Sequence, residues 1–178
     1  MSRTDAPVHG GPDSGPPIEV DFSTNAHPMG PNPWLAEQVR RADRSRYPDP
    51  AYADLREALG RFHAVEAERV VIGASASELI WRLTRAWSTL ARAVVVTSRR
   101  TFGEYLRAAR VVGLPVRAAS PVAAGAHLLW CCNPDNPSGE NRDEVIAQAV
   151  KSLRAPRGPR GIVVADLAYW PFRQMLGS

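Results

Sequence analysis

Lysine is almost missing from this 178-residue chain: of its 22 basic residues only Lys151 is lysine, and the others are arginine. Cysteine is confined to the neighbours Cys131 and Cys132. Adjacent residues in a strand point to opposite faces, which argues against a disulfide framework. His9, His27, His63 and His127 share no metal-ligand spacing with that pair, which argues against a zinc site; both thiols read as small buried groups at a strand end. No run of about 18 apolar residues occurs, so no segment is expected to span a membrane as a helix. The first twenty residues lack the apolar stretch of a signal peptide, and the chain is expected in the cytoplasm. Neither a Gly-x-x-x-x-Gly-Lys-[Ser/Thr] loop nor a Gly-x-Gly-x-x-Gly loop follows any strand-like run, which argues against a nucleotide-binding module. The net charge of +4 is spread over arginine pairs such as Arg40 with Arg41 and Arg99 with Arg100. Dispersed charge of this size is a solvated surface rather than a nucleic-acid footprint.

What is present is an orderly α/β pattern. Residues 1–17 are rich in Gly, Pro, Ser and Asp and are expected to be a disordered tail. The next segment, 18–50, carries one short helix over "PWLAEQVRRA", started by Pro33, and the extended turn "RYPDP". A second helix is expected to start near Ala51, with Tyr52, Leu55, Leu59 and Phe62 on one face. From Arg69 onward the chain repeats an apolar run, a loop of small or polar residues and a helical stretch. The runs are "RVVIG", "RAVVVTS", "AHLLWCC" and "GIVVAD", with "LPVRAA" as a flanking strand. Continuous rather than alternating apolar runs suit strands buried on both faces, so residues 51–178 are expected to form a doubly wound, mostly parallel sheet. Ser75-x-x-Glu78 and Thr101-x-x-Glu104 both have capping-box spacing at helix starts. Leu79, Ile80, Leu83, Trp87 and Leu90 make the apolar stripe of the first of these helices, and Leu106, Ala109 and Val112 that of the second, which Gly113 stops.

Ligands of open parallel sheets bind beyond the carboxyl ends of the strands. The segments there are "GASAS" (73–77), "SRRTF" (98–102), "NPDNPSG" (133–139) and "DLAYW" (166–170). Taken singly they serve equally well as a helix cap, a core ring, a turn and a strand end. Together they supply the parts that a planar, phosphorylated, nitrogen-containing ring needs. The N–H groups of Ser75, Ala76 and Ser77 suit a phosphate. Phe102 suits the ring face, Asp166 a protonated ring nitrogen, and Asn136 with Tyr169 a ring hydroxyl. Pyridoxal 5'-phosphate is such a ligand, and its protonated pyridine acts as an electron sink.

The motif "NPDNPSG" resembles the NPxNPTG signature of class I/II aminotransferases, the fold-type I enzymes that use pyridoxal phosphate. "DFSTNAHPMGPNP", "RYPDPAYADLREAL", "GASASELI", "TFGEYLRAARVVGLPV" and "VVADLAYWPF" follow the order and approximate spacing of the histidinol-phosphate aminotransferase branch, which includes the threonine-phosphate decarboxylase of cobalamin synthesis. The resemblance covers about residues 20–173. It implies that Ser75, Ala76 and Ser77 take the cofactor phosphate, Phe102 stacks on the ring, Asn136 and Tyr169 contact the O3' oxygen, and Asp166 meets the pyridine nitrogen. It further implies a homodimer in which Tyr47 reaches the neighbouring subunit's phosphate, and places Asn25 on the side of a small amino substrate.

The family's cofactor-bearing lysine lies some dozens of residues beyond the Asp-x-x-Tyr motif, whereas this sequence reaches only Ser178, 178 − 169 = 9 residues past Tyr169. Lys151 falls in the predicted helix before the Asp166 strand, far from the carboxyl-end crevice. The expectation is therefore the amino-terminal half of an aminotransferase of amino-acid or amino-alcohol phosphates, lacking the small domain and inactive by itself. A decarboxylase-like protein and a non-catalytic remnant of the fold are the alternatives. The link from Gly113 to Asn133, 133 − 113 = 20 residues, is shorter than the branch usually has.

Overall fold

Four of the five apolar runs become strands, and the exception shows what a strand requires. The computed structural model describes residues 15–16, 19–21, 23–25, 27, 29–90, 93–98, 100–118, 126–155 and 160–171. The expected tail lies outside them except for Gly15 and Pro16. The chain divides into two compact units, one within Val8–Ile72 and one formed chiefly by Gly73–Ser178.

In the first unit Asn32 opens helix α1 (Pro33–Arg41), its side-chain oxygen accepting from the N–H of Trp34 at 2.9 Å and of Leu35 at 3.3 Å. Pro33 occupies the first turn, where its missing N–H costs nothing. Helix α2 (Ala53–His63) starts slightly later than Ala51 because Asp49 organises its entry. The Asp49 carboxylate accepts from Ala51 N–H at 3.0 Å and Ala53 N–H at 2.9 Å, while Tyr52 turns through φ +51°. The Ala53 bond, then the Ala51 bond, hold that carboxyl below its ordinary range. The run "RVVIG" does not form a strand. Ala67–Arg69 make a 3-10 turn, and Arg56 Nε donates to the carbonyls of Ala67 (3.1 Å) and Val70 (3.0 Å). Val71 is 65% exposed between half-buried Val70 and Ile72, and no strand among the described residues pairs with this run, so its β-forming residues have no ladder.

The second unit runs α3 (Ala76–Trp87), β1 (Ala93–Thr97), α4 (Gly103–Val111), β2 (Val116–Ala118), β3 (Ala126–Cys132), α5 (Asp143–Arg154) and β4 (Arg160–Asp166). The strands form one sheet in the order β2-β1-β3-β4, parallel throughout, with the "LPVRAA" strand at an edge as its sequence suggests. Alternate residues divide the core between the two sheet faces. Val95, Leu128, Trp130 and Cys132 pack with Ile80 of α3 and with Tyr105, Ala108 and Ala109 of α4. Val96 and Leu129 face the other way, against Ala149 of α5 and Val163. The sheet is therefore packed by helices on both faces, which is why the central strands β1 and β3 read as unbroken apolar runs.

Two helix details differ from expectation. At α3 the capping-box spacing is used in part: Ser75 Oγ accepts from Glu78 N–H at 3.1 Å, while the Glu78 carboxylate accepts from the N–H of Ala74, one residue before the N-cap, at 3.2 Å. At α4 it is not used, because Phe102 is the N-cap and makes no side-chain cap bond. Thr101 instead donates to Asp135, and buried Glu104 accepts from Trp81 Nε1 at 2.9 Å. The buried face of α4 accordingly consists of Glu104, Tyr105, Ala108 and Ala109. The half-buried Leu106 and Val112 of the expected stripe flank it. Gly113, at φ +73°, ends the helix as expected. No helix among the described residues is long and apolar enough to cross a membrane, and no group of three or more His, Cys, Asp or Glu among them is placed to hold a metal ion.

Candidate functional site

The register of β3 against β4 brings the carboxyl-end residues together. Cys132 lies beside Asp166, and Asn133 N–H donates to the Asp166 carbonyl at 2.9 Å. Laterally paired residues in a parallel ladder point to the same face, so Asp166, like Cys132, turns toward α4. There the Tyr105 hydroxyl donates to Asp166 Oδ2 at 2.6 Å, and Ala168 N–H donates to Oδ1 at 3.1 Å. Tyr105 is wholly buried, stacked on Trp130 (centroids 5.0 Å, planes 5° apart) and edge-on to Phe102 (5.7 Å, 83°). Burial, and then the bond to Asp166 and its charge, push the Tyr105 phenol far above its ordinary range, so it remains a neutral donor. Sequence reading missed Tyr105. The available signal was its position three residues after Phe102, which puts both rings on one side of α4's first turn.

The Asn/Pro turn after β3 is built on residues other than the one first singled out. Asn133 is buried; its side-chain N–H donates to Asp143 at 2.8 Å and its oxygen accepts from Arg142 N–H at 2.9 Å, tying the end of β3 to the start of α5. Asp135 is also buried, and its carboxylate accepts from Thr101 (3.1 Å), Ser138 (2.9 Å) and the Arg142 guanidinium (3.3 Å). Its backbone closes the turn, accepting from Gly139 N–H at 2.7 Å and donating to the Glu140 carbonyl at 2.9 Å. The peptide bonds Asn133–Pro134 and Asn136–Pro137 are both cis. Asn136, half-buried, takes no part in the Asn133 and Asp135 side-chain bonds. Asn133, Asp135 and Arg142 are the framework residues that motif reading passed over.

At the start of α3, Ser75 is the N-cap and Ala76 and Ser77 the first helical residues. Their N–H groups have no acceptor within the helix. A Cβ at Gly73 would sit 2.5 Å from Glu78 Oε2 and 2.6 Å from Leu79, so a larger residue there would have to displace the side chains flanking this helix end. Helices α3 and α4 lie side by side, joined by the Trp81–Glu104 bond.

Phe102, Asp166 and Tyr169 therefore gather with Tyr105 around one cluster, since Phe102 and Tyr169 both pack against the core that holds Tyr105. Asn136 lies four residues beyond β3, at the same end of the sheet. Tyr47, 99% exposed, and Asn25, also exposed, belong to the other unit. Lys151 is exposed in the last turn of α5. That helix starts beside Asn133 at the carboxyl ends of the strands and runs back toward the start of β4, so Lys151 stands at the opposite end of the sheet from Asp166. A cavity of about 320 Å³ is lined by Ser98, Thr101, Cys131, Asp135, Arg142 and Val145 among others, and by none of Phe102, Asn136 or Asp166. Burial pushes the Cys131 thiol up to about 11, against the opposing charge of Arg142.

Comparison with known proteins gives this architecture a family. Residues 17–172 match the family model described as aminotransferase class I and II. The histidinol-phosphate aminotransferase of Macrococcus caseolyticus is 30% identical over 173 residues, covering 87% of this chain and 48% of that protein. The crystal structure of a putative histidinol-phosphate aminotransferase from Erwinia carotovora atroseptica superposes with a TM-score of 0.70 at 23% identity, over 83% of this chain and 47% of that one. The histidinol-phosphate aminotransferase of Sinorhizobium meliloti, solved in complex with pyridoxal-5'-phosphate, gives 0.58 at 23% identity, over 79% and 42%. The chain thus spans about half the length of the relatives it matches. A parallel sheet wound on both faces, an Asn/Pro turn after its central strand and a family match across most of its residues place this chain among the class I and II aminotransferases.

Proposed function

We propose that this chain supplies the cofactor-binding part of a pyridoxal-phosphate-dependent aminotransferase acting on a small amino substrate of the histidinol-phosphate type. The observation that carries the reading is the Asp166 carboxylate, held at a strand end by a neutral tyrosine beside the Phe102 ring. The donor set fits the cofactor. An aspartate with acceptor positions left over after Tyr105 and Ala168 suits a protonated pyridine nitrogen. The helix start at Ser75, Ala76 and Ser77, approached through Gly73, suits a phosphate. Phe102 offers an apolar ring, and Asn136 and Tyr169 offer polar groups for a ring hydroxyl. The names of the relatives and the ligand in the Sinorhizobium meliloti structure support the same cofactor and substrate class.

When bound, the cofactor supplies a protonated ring that withdraws electrons from the substrate's Cα. The residues of this chain orient that ring and keep its nitrogen paired with a negative charge. Lys151 is too remote from Asp166 to hold or move a proton at the reacting carbon, and the base must come from elsewhere in the active assembly. We further assign Tyr47 to the phosphate of a second copy of the chain, which its full exposure permits, and Asn25 to the substrate side.

Titration with pyridoxal 5'-phosphate, followed by quenching of tryptophan fluorescence, tests the reading, because Trp81, Trp87 and Trp130 all belong to or pack against the same core cluster. Saturable quenching that is lost in Asp166→Ala and opposed by inorganic phosphate is the expected result. Identical titrations of the wild type and Asp166→Ala would remove the assignment.

A further inference from the structure

Tyr105 is more tightly held than a core ring requires. Trp130 covers one face, Phe102 meets it edge-on, and no part of the side chain reaches solvent. Its hydroxyl donates to Asp166 at 2.6 Å, within the short range of a hydroxyl bonded to a carboxylate, and also interacts with the Cys132 thiol. A tyrosine serving only to fill volume does not need a hydroxyl aimed at the carboxylate that ends β4. Among the described residues, the groups that meet Asp166 are the Tyr105 hydroxyl from α4, the Cys132 thiol from β3 and the Ala168 N–H from the following turn. The thiol donates to the Pro134 carbonyl at 3.3 Å, which leaves Tyr105 as the side chain that fixes the carboxylate plane. An ionised carboxylate accepts at about four positions, and two are taken here.

We propose that Tyr105 is a positioning residue, whose hydroxyl orients the Asp166 carboxylate toward the pyridine N–H of the cofactor and thereby sets the affinity for a ring that carries that nitrogen. The inference rests on the reading above that Asp166 meets the ring nitrogen. Tyr105 itself touches Asp166 and need not touch the cofactor. Because the phenol keeps its proton through the working pH range, it stays able to donate to the carboxylate.

The test uses pyridoxamine 5'-phosphate, which binds without a covalent link, and its analogue in which the ring nitrogen is replaced by C–H. Affinities are measured by fluorescence quenching for the wild type, Tyr105→Phe, Asp166→Ala and the double variant, with near-ultraviolet circular dichroism reporting the Tyr105–Trp130 stack. Tyr105→Phe is expected to weaken pyridoxamine phosphate by about tenfold, the loss of one hydrogen bond to a charged group. It should leave the carbon analogue within about twofold, and in the Asp166→Ala background it should add nothing. Equal weakening of both ligands would mean that Tyr105 acts by packing alone and would overturn the proposal. If Asp166→Ala loses pyridoxamine phosphate while Tyr105→Phe keeps it, the positioning role fails and the reading of Asp166 stands. If Asp166→Ala binds both ligands as the wild type does, that reading fails and the inference with it. Should Tyr105→Phe fail to fold, the Tyr105 hydroxyl proton of the wild type decides by nuclear magnetic resonance. It is expected to shift on adding pyridoxamine phosphate and not on adding the carbon analogue, and the same response to both would overturn the proposal.

Discussion

Replacing Asp135 by alanine separates the two jobs of the Asn/Pro turn. The Asp135 side chain is 3% exposed and accepts from three partners: Thr101 at 3.1 Å, Ser138 at 2.9 Å and Arg142 at 3.3 Å. Each hydroxyl bond to a buried charged acceptor stabilises by about 1.5 kcal/mol. Arg142 keeps a partner in Glu140 at 2.8 Å and sits partly in solvent, so its loss adds only about 0–1 kcal/mol. The sum is about 3 kcal/mol, roughly two orders of magnitude in the unfolding equilibrium. In urea, with a slope of about 2 kcal/mol per molar, the midpoint should fall by about 1.5 M. Asn136→Ala should behave oppositely. It removes an amide outside this group of bonds, costs under about 0.5 kcal/mol, and weakens pyridoxal phosphate by about tenfold through one lost hydrogen bond. Urea unfolding and fluorescence titration of both variants decide the matter. An Asp135→Ala midpoint within error of the wild type, or an Asn136→Ala protein as destabilised as Asp135→Ala, would refute the division between framework and display.

Ser75→Ala removes the oxygen that accepts from Glu78 N–H and should cost about 1 kcal/mol by denaturant unfolding. The N–H groups of Ala76 and Ser77 remain, so phosphate competition should change little. Tyr105 predicts an alkaline limit. Its folded pKa is raised, so the stability it contributes is complete below the unfolded value near 10.0 and is lost as pH rises beyond it. Unfolding measured at pH 8, 10 and 11 should show a decline above pH 10 that flattens in Tyr105→Phe. Cys131 acts earlier by the same sign: its thiol, pushed from 9.0 up to about 11, withdraws stability between those values, and Cys131→Ala should remove that part of the slope.

The parts of the fold that were legible in the sequence are those fixed by local rules. Continuous apolar runs gave β1, β3 and β4; in the central β1 and β3 burial on both faces leaves no polar alternation, and the strand at 116–118 was recognisable at an edge. The failure at "RVVIG" has the complementary cause. Val70, Val71 and Ile72 have the composition of a strand, but strand formation is a property of a pair, and pairing cannot be read from one segment. The Thr101-x-x-Glu104 box failed because burial competes with capping: Glu104 is drawn to the Trp81 indole and Thr101 to Asp135, both distant in sequence. At the site, Phe102, Asp166 and Tyr169 announced themselves by position after a strand. Tyr105, Asn133 and Asp135 did not, since their roles consist of holding other residues still, and such partners appear only once the strands are in register.

That register suggests a way to disturb the site from its far end. Gly161 pairs with His127 near the start of the β3–β4 ladder, while Asp166 pairs with Cys132 at its end. A Cβ on Gly161 would collide with the His127 carbonyl oxygen and lie 3.1 Å from its carbonyl carbon. Both are backbone atoms of the central strand, so relief must come from β4 moving away. Overpacking of this kind costs about 1–3 kcal/mol, which lowers Tm by about 2–12 °C for a chain of this size. The displacement travels along a strand with little internal give and ends at the 2.6 Å bond between Tyr105 and Asp166. Gly161→Ala should therefore lower both Tm and pyridoxamine phosphate affinity, although residue 161 lies at the other end of the strand from Asp166. Gly161→Ala combined with Asp166→Ala should lower Tm without a further loss of binding. A Gly161→Ala protein that melts like the wild type would show that β4 yields locally, and the idea that ladder register sets the orientation of Asp166 would then be wrong.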